Sequence, residues 1–292
     1  MLCLDEVRIV GQPGLSMDGP AAYLWALDSR NLSMRIAKKS QPIRDLDHWG
    51  EVAGPKSRNH WVPGRSAMET ARYWLETGDA FPPQLEDILL NHPDFGRVIS
   101  WSAEPEAKLS FDRRRGEPRN TDLLVLGDDD RGDFVMAVEA KADEPFGQLL
   151  PDALTSALEA KLKNPRSQAL ERIDELVRTL LGPKQRNEPS LSRIRYQLLT
   201  ATAGLLAEAA SRKADRAILA VQEFCSDQTD DQVQAENAKD LDAFLHRLTS
   251  GEVAELASNS IVGPLRLIEA TPGAVGPKLY VLKIRCDLRR GV

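Results

Sequence analysis

Residues 120–147, NTDLLVLGDDDRGDFVMAVEAKADEPFG, constrain the fold of this chain more than any other stretch. Two apolar runs, 121–126 and 134–141, flank a turn sequence, 127–133, rich in Gly and Asp, which is the pattern of a β-hairpin. Taking position 128 opposite 133 and counting outwards puts Asp122 opposite Glu139. Directly paired residues have Cβ atoms roughly 4.5–5.5 Å apart, so two carboxylates there repel unless a cation stands between them. Lys141 is one alternation beyond Glu139 and shares its face, whereas Phe134, Met136, Val138 and Ala140 form an apolar face that can bury against helices. Two acids and a lysine therefore converge at the end of a strand pair that is otherwise core.

The flanking sequence alternates between helical and strand periods. SAMETARYWLETG places Ala67, Ala71, Trp74 and Leu75 on one stripe behind a Ser cap and stops at Gly78, predicting a helix. A second helix starts after Pro82 and Pro83. Strands are expected at 97–103, 107–111, 121–126 and 134–141. A long helical region follows Gly147, broken at Pro165, Gly182-Pro183 and Pro189, with its best-patterned helix at 191–210. Gly204 inside that helix implies close approach by another element, because Gly costs about 1 kcal/mol there relative to Ala. A buried strand at 216–222, a helix at 240–249 and closing strands at 265–269 and 279–286 complete the pattern. The expectation is a mixed α/β (α+β) chain with a central mixed sheet flanked by helices over 66–292, and a small α+β appendage at 1–65.

Composition narrows the class. The 292 residues are 42% hydrophobic and 28% charged, as in an ordinary globular chain, and no apolar run approaches the ~18 residues of a membrane span. The acids in MLCLDEVRIV do not fit a signal peptide, so a cytoplasmic chain without a membrane partner is expected. Cys3, Cys225 and Cys286 are far apart and odd in number, which argues against a disulfide framework or a CxxC module. Nucleotide-binding glycine loops and GxSxG are missing, and His48, His60, His92 and His246 show no metal-ligand spacing. Asp128, Asp130 and Glu139 fit positions 1, 3 and 12 of a calcium loop, but Gly132 falls at position 5 rather than 6 and strands flank it, so that reading fails.

The acid, acid, lysine set suits metal-assisted phosphodiester hydrolysis. Two carboxylates and a backbone carbonyl, that of Ala140, are the hard oxygen donors Mg²⁺ prefers, with Mn²⁺ as the alternative ion, and a lysine can orient water or neutralise developing charge. Glu86, on the helix before the sheet, is ranked as a further ligand ahead of Glu69. A bare Glu-x-Lys at a strand end is ordinarily just a solvated edge; the opposition of Asp122 to Glu139 weighs against that here.

At these residues the chain resembles the PD-(D/E)xK nuclease superfamily, whose signature is an Asp, a spacer, then Asp or Glu, any residue and Lys, on an α-β-β-β-α-β core. Asp122 matches the first acid, with Thr121 where Pro often stands, and Glu139-Ala140-Lys141 match the second half. SAMETARYWLETGDAFPP, NTDLLVL, VEAKADEPFG and RYQLLTATAGLLAEA together look like an uncharacterised bacterial subgroup, the resemblance covering about residues 60–225. It implies a restriction-endonuclease-like core, Mg²⁺ at Asp122 and Glu139, catalysis assisted by Lys141, and Gln197 as the glutamine that reaches the site from a later helix. It also implies DNA as partner and leaves open a homodimer and a catalytically silent binding module.

The net charge of −6 argues against a general nucleic-acid coat protein, but it is unevenly spread. Residues 161–195 carry +5 and 107–119 carry +3, against −6 over 223–242. Such a run is usually a solvated face. The alternative is that Arg113, Arg114, Arg115, Arg119, Arg193 and Arg195 guide a phosphate backbone at the rim of the site.

Overall fold

The computed structural model describes residues 35–55, 57–112, 114, 118–265 and 276–289. Arg113, Arg115 and most of the expected strand at 265–269 lie outside them. The described residues all belong to the compact unit that starts at Met34.

A two-residue pair of strands, β1 (Ala37–Lys38) and β2 (Gln41–Pro42), leads into α1 (Leu46–Ala53), which begins where Asp45 accepts a hydrogen bond from the His48 backbone N–H. Helices α2 (Ser66–Glu76) and α3 (Pro83–Leu90) follow, α3 opening on a proline whose missing N–H costs nothing at a first helical position. Next come β3 (Val98–Leu109), β4 (Arg119–Asp129) and β5 (Gly132–Lys141), then α4 (Leu150–Lys163), α5 (Ala169–Leu180) and α6 (Tyr196–Arg212). The chain ends with β6 (Arg216–Cys225), α7 (Asp231–Leu248), β7 (Ser260–Leu265) and β8 (Lys278–Asp287).

The main sheet has the order β3-β4-β5-β6-β8-β7. Its first three strands are antiparallel, β6 and β8 run parallel to β5, and β7 closes the edge antiparallel to β8. Helices cover both faces, which gives a mixed α/β fold in three layers. The period-two alternation of a strand decides which residue meets which layer. In β5, Phe134, Met136, Val138 and Ala140 join the core built by α1, α2 and α3, while Val135 and Ala137 join the core built by α4 to α7. In the first of these layers Phe81 packs edge to face with Trp74, Trp101 and Phe134, and Trp74 packs tilted against Trp101.

The structure lengthens or moves several expected elements. The hairpin pairs from Leu123 opposite Val138 to Asp129 opposite Gly132, so the expected loop 127–133 shrinks to Asp130 and Arg131. Gly127 permits this, because the Phe134 ring lies where a Cβ would be. The two strands expected at 97–103 and 107–111 are one, with Glu106 in the left-handed region at φ 51°. That residue breaks the alternation: Ala103 packs with the α1–α3 layer, whereas Ala107 and Leu109 pack with α4–α7. Gly204 does mark a close approach, since a Cβ there would stand 3.1 Å from Cβ of Leu109. Ser66 does not cap α2; its hydroxyl bonds Glu144 on the loop after β5 instead.

Candidate functional site

The hairpin register extends to the site. Asp122 and Glu139 lie one step beyond the last ladder pair, Leu123 and Val138, and so face each other as the strands part. The Ala140 N–H, which the ladder leaves free, donates to Asp122 Oδ2 at 2.7 Å. Glu139 shares the α6 face with Val135 and Ala137 and has no exposed surface. Its Oε1 pairs with the Arg119 guanidinium, and its Oε2 accepts from Nε2 of Gln197 at 2.8 Å. Gln197 is in the first turn of α6, beside Gly147 of the loop that follows β5. Lys141 is buried, its Nζ donating to the Ala140 carbonyl at 3.1 Å and lying 5.3 Å from the centre of the Phe146 ring. Burial pushes the Asp122 carboxyl up to about 6, with the Glu139 charge adding to the shift and the Lys141 ammonium opposing it.

Sequence reasoning missed a third carboxyl. Pro105 pairs with Leu123 and Ala107 with Thr121, which puts Glu106 across from Asp122 and makes Glu106, Asp122 and Glu139 a row over three neighbouring strands. Burial raises the Glu106 carboxyl to about 7, with Asp122 and Glu139 adding and Lys38 opposing. Lys38 also fixes this turn of β3, donating to the carbonyls of Pro105 and Glu106 at 2.8 Å each. The register of β3 on β4 would have shown Glu106, but nothing in 110–118 fixes that register as the short loop fixes the next one.

Other candidates are placed elsewhere. Glu86 accepts from the Val98 N–H at 3.1 Å and lies 3.8 Å from Arg97. Val98 pairs with Asp129 at the turn end of the hairpin, about 20 Å or more along the strand from Asp122. Glu86 is therefore no part of the site. α2 rather than α3 borders it, tied to the loop after β5 by Arg65 to Asp143 at 2.8 Å and by Ser66 to Glu144. Glu69 on that helix is itself engaged, by the Gly64 N–H at 2.7 Å and by Arg72 at 2.9 Å. Of the arginines expected to guide a phosphate backbone, Arg119 is turned inward onto Glu139, Arg114 pairs with Glu175, and Arg195 joins Asp240 to the Gly147 carbonyl. Arg193 alone among the four described is exposed and pairs with no carboxylate of the described residues.

Among the described residues no three His, Cys, Asp or Glu side chains form a metal-holding group. Mg²⁺ does not require one, since it keeps several waters and is commonly held by one or two carboxylates together with a substrate phosphate. The donor chemistry of Asp122, Glu139 and the Ala140 carbonyl fits such an ion, and a cation, the Arg119 guanidinium, already stands at Glu139.

Fold and site together define a three-layer mixed α/β protein with a carboxylate and lysine site where β4 and β5 part. A family model described as a domain of unknown function, DUF6946, matches residues 42–281, and the chain belongs to that family. No curated protein and no solved structure matches it.

Proposed function

We propose that the protein is a metal-dependent nuclease that hydrolyses phosphodiester bonds in DNA, with Asp122, Glu139 and the Ala140 carbonyl as ligands of Mg²⁺ or Mn²⁺ and Lys141 as the catalytic lysine. The observation that carries this reading is the meeting of Asp122, Glu139 and Lys141 on one face at the open end of the hairpin. Support comes from the element order, α3, three antiparallel strands, the helices α4 to α6 and a parallel strand, which accommodates the α-β-β-β-α-β core the sequence resembles with extra helices before the last strand. When bound, the ion would supply an acidified water and neutralise charge on the phosphate. The chain's own residues prepare the rest. Gln197 holds the Glu139 carboxylate in one orientation, and the Ala140 N–H does the same for Asp122. Lys141 Nζ lies against the Phe146 ring and out of bulk water, at the end of the hairpin where it can reach an attacking water or a phosphate oxygen.

Incubating plasmid and single-stranded DNA with the protein and Mg²⁺ or Mn²⁺ tests the reading. Lys141→Ala is expected to lower cleavage by about a hundredfold or more while the thermal unfolding curve stays cooperative. Cleavage unchanged in that variant, or absent from folded wild-type protein, overturns it. A second reading, a catalytically silent module that binds a protein or nucleic acid, is favoured by the fact that both Glu139 oxygens and the Ala140 carbonyl already have partners. Titration with Mn²⁺ separates the two, because a silent module has no need of the ion.

A further inference from the structure

Glu139 has no exposed surface, so the folded chain must neutralise its charge before any metal arrives. Arg119 does this, but on poor terms of its own. Its Nε is buried without a hydrogen-bond partner, and its side chain, 12% exposed, lies at the edge of the site rather than inside it. A guanidinium so placed gains a water partner by leaving, whereas Gln197 stays bonded to the other oxygen and keeps the carboxylate in position. Arg119 opens β4 with its backbone paired to Leu109, so the side chain can move while the strand does not.

We propose that Arg119 is a positioning residue that occupies the cation place at Glu139 and is displaced from Oε1 when a divalent ion binds. The inference rests on the metal reading above. Two cations on one carboxylate oxygen repel each other, so guanidinium and metal compete for Glu139, and the affinity of the site is set by the exchange rather than by the carboxylates alone. The arginine that the sequence marked for phosphate contact is thereby a lock on the site while no metal is present.

The experiment is calorimetric titration of the full chain with Mn²⁺, in wild type, Arg119→Gln and Arg119→Lys, alongside thermal unfolding with and without the ion. Arg119→Gln is expected to bind Mn²⁺ about tenfold more tightly or better, a gain of one decade or more in affinity. Its metal-free melting temperature falls, and Mn²⁺ restores more of it than it adds to wild type. Arg119→Lys, which keeps the charge but loses the planar fork, should fall between the two, and it carries the comparison with wild type if Arg119→Gln does not fold. A purely structural Arg119 would lower the metal-free melt and leave Mn²⁺ affinity unchanged; equal affinities in wild type and variant overturn the inference while the metal reading stands. If neither protein binds Mn²⁺ although both unfold cooperatively, the metal reading fails and the inference with it.

Discussion

Asp122 and Glu106 hold protons more tightly in the fold than a free carboxyl does, to about 6 and about 7, in both cases chiefly through burial. In the unfolded chain both ionise near the ordinary carboxylate range, about 4. Between those limits the folded protein binds more protons than the unfolded one. These two groups therefore make stability fall as pH rises from about 4 towards 7, and their contribution is fully favourable only below the unfolded values. Melting temperatures measured across pH 4–8 should show that decline; Asp122→Asn should remove the part below pH 6 and Glu106→Gln should flatten the part that continues to pH 7. A slope unaltered by Glu106→Gln would exclude Glu106 from the carboxylate row. The pair Asp122 and Glu139 was legible in the sequence because a short Gly- and Asp-rich turn fixes its register. Glu106 was not, because its left-handed backbone and the uninformative stretch 110–118 both hide the register of β3.

At the level of elements, the hairpin and the first parallel strand are locked together by a buried pair. Arg216, the first residue of β6, makes two hydrogen bonds to the carboxylate of Asp129, at 2.8 and 2.9 Å, and a third to the carbonyl of Asp94 at 2.7 Å, with the Phe95 ring 4.9 Å away. Arg216→Ala leaves the buried Asp129 carboxylate without its cation, held by the Gly96 and Arg131 N–H groups alone, which should cost about 3–5 kcal/mol and show as a lower urea midpoint with little change in slope. Gly127→Ala drives a Cβ into the Phe134 ring and should cost about 1–3 kcal/mol in the same measurement. Helix α7 begins well before the expected 240–249; its first half is Gln-, Glu- and Asn-rich and lacks the apolar periodicity that would mark it in the sequence. The acids of 223–242 have a local purpose there. Asp230 caps the helix and Asp231 sits in its first turn, where negative charge complements the helix dipole.

For the molecule as a whole, the basic surplus read from the sequence is partly spent on internal pairing. Lys161 meets Glu171, Arg172 meets Asp112, Arg178 meets Asp174 and Arg114 meets Glu175. What remains outward among the described residues of segments 107–119 and 161–195, Lys108, Lys163, Arg166, Lys184, Arg186 and Arg193, is a small set on a chain whose net charge is −6. If DNA is bound, its affinity should fall with salt at a shallow slope, roughly −0.9 per phosphate neutralised. Arg193→Ala should reduce that slope by about one contact and Arg114→Ala should leave it unchanged, as filter binding over a salt series would show. Charge sums along a sequence count both partners of a pair that the fold brings together from distant segments, Arg172 and Asp112 for example, so the local field could not be read before the structure.

The layering of the sheet has a practical consequence for how this protein can be watched. Trp49, Trp61, Trp74 and Trp101 all belong to the layer of α1, α2 and α3, and the Trp74 indole donates to Gln222 on that side, while Glu139, Lys141 and Gln197 face the opposite layer. Ultraviolet emission from these indoles is thus an optical gauge of whether the protein is folded. The same light is nearly blind to what Glu139 holds, so loading has to be followed by heat or by a probe placed on the α6 side.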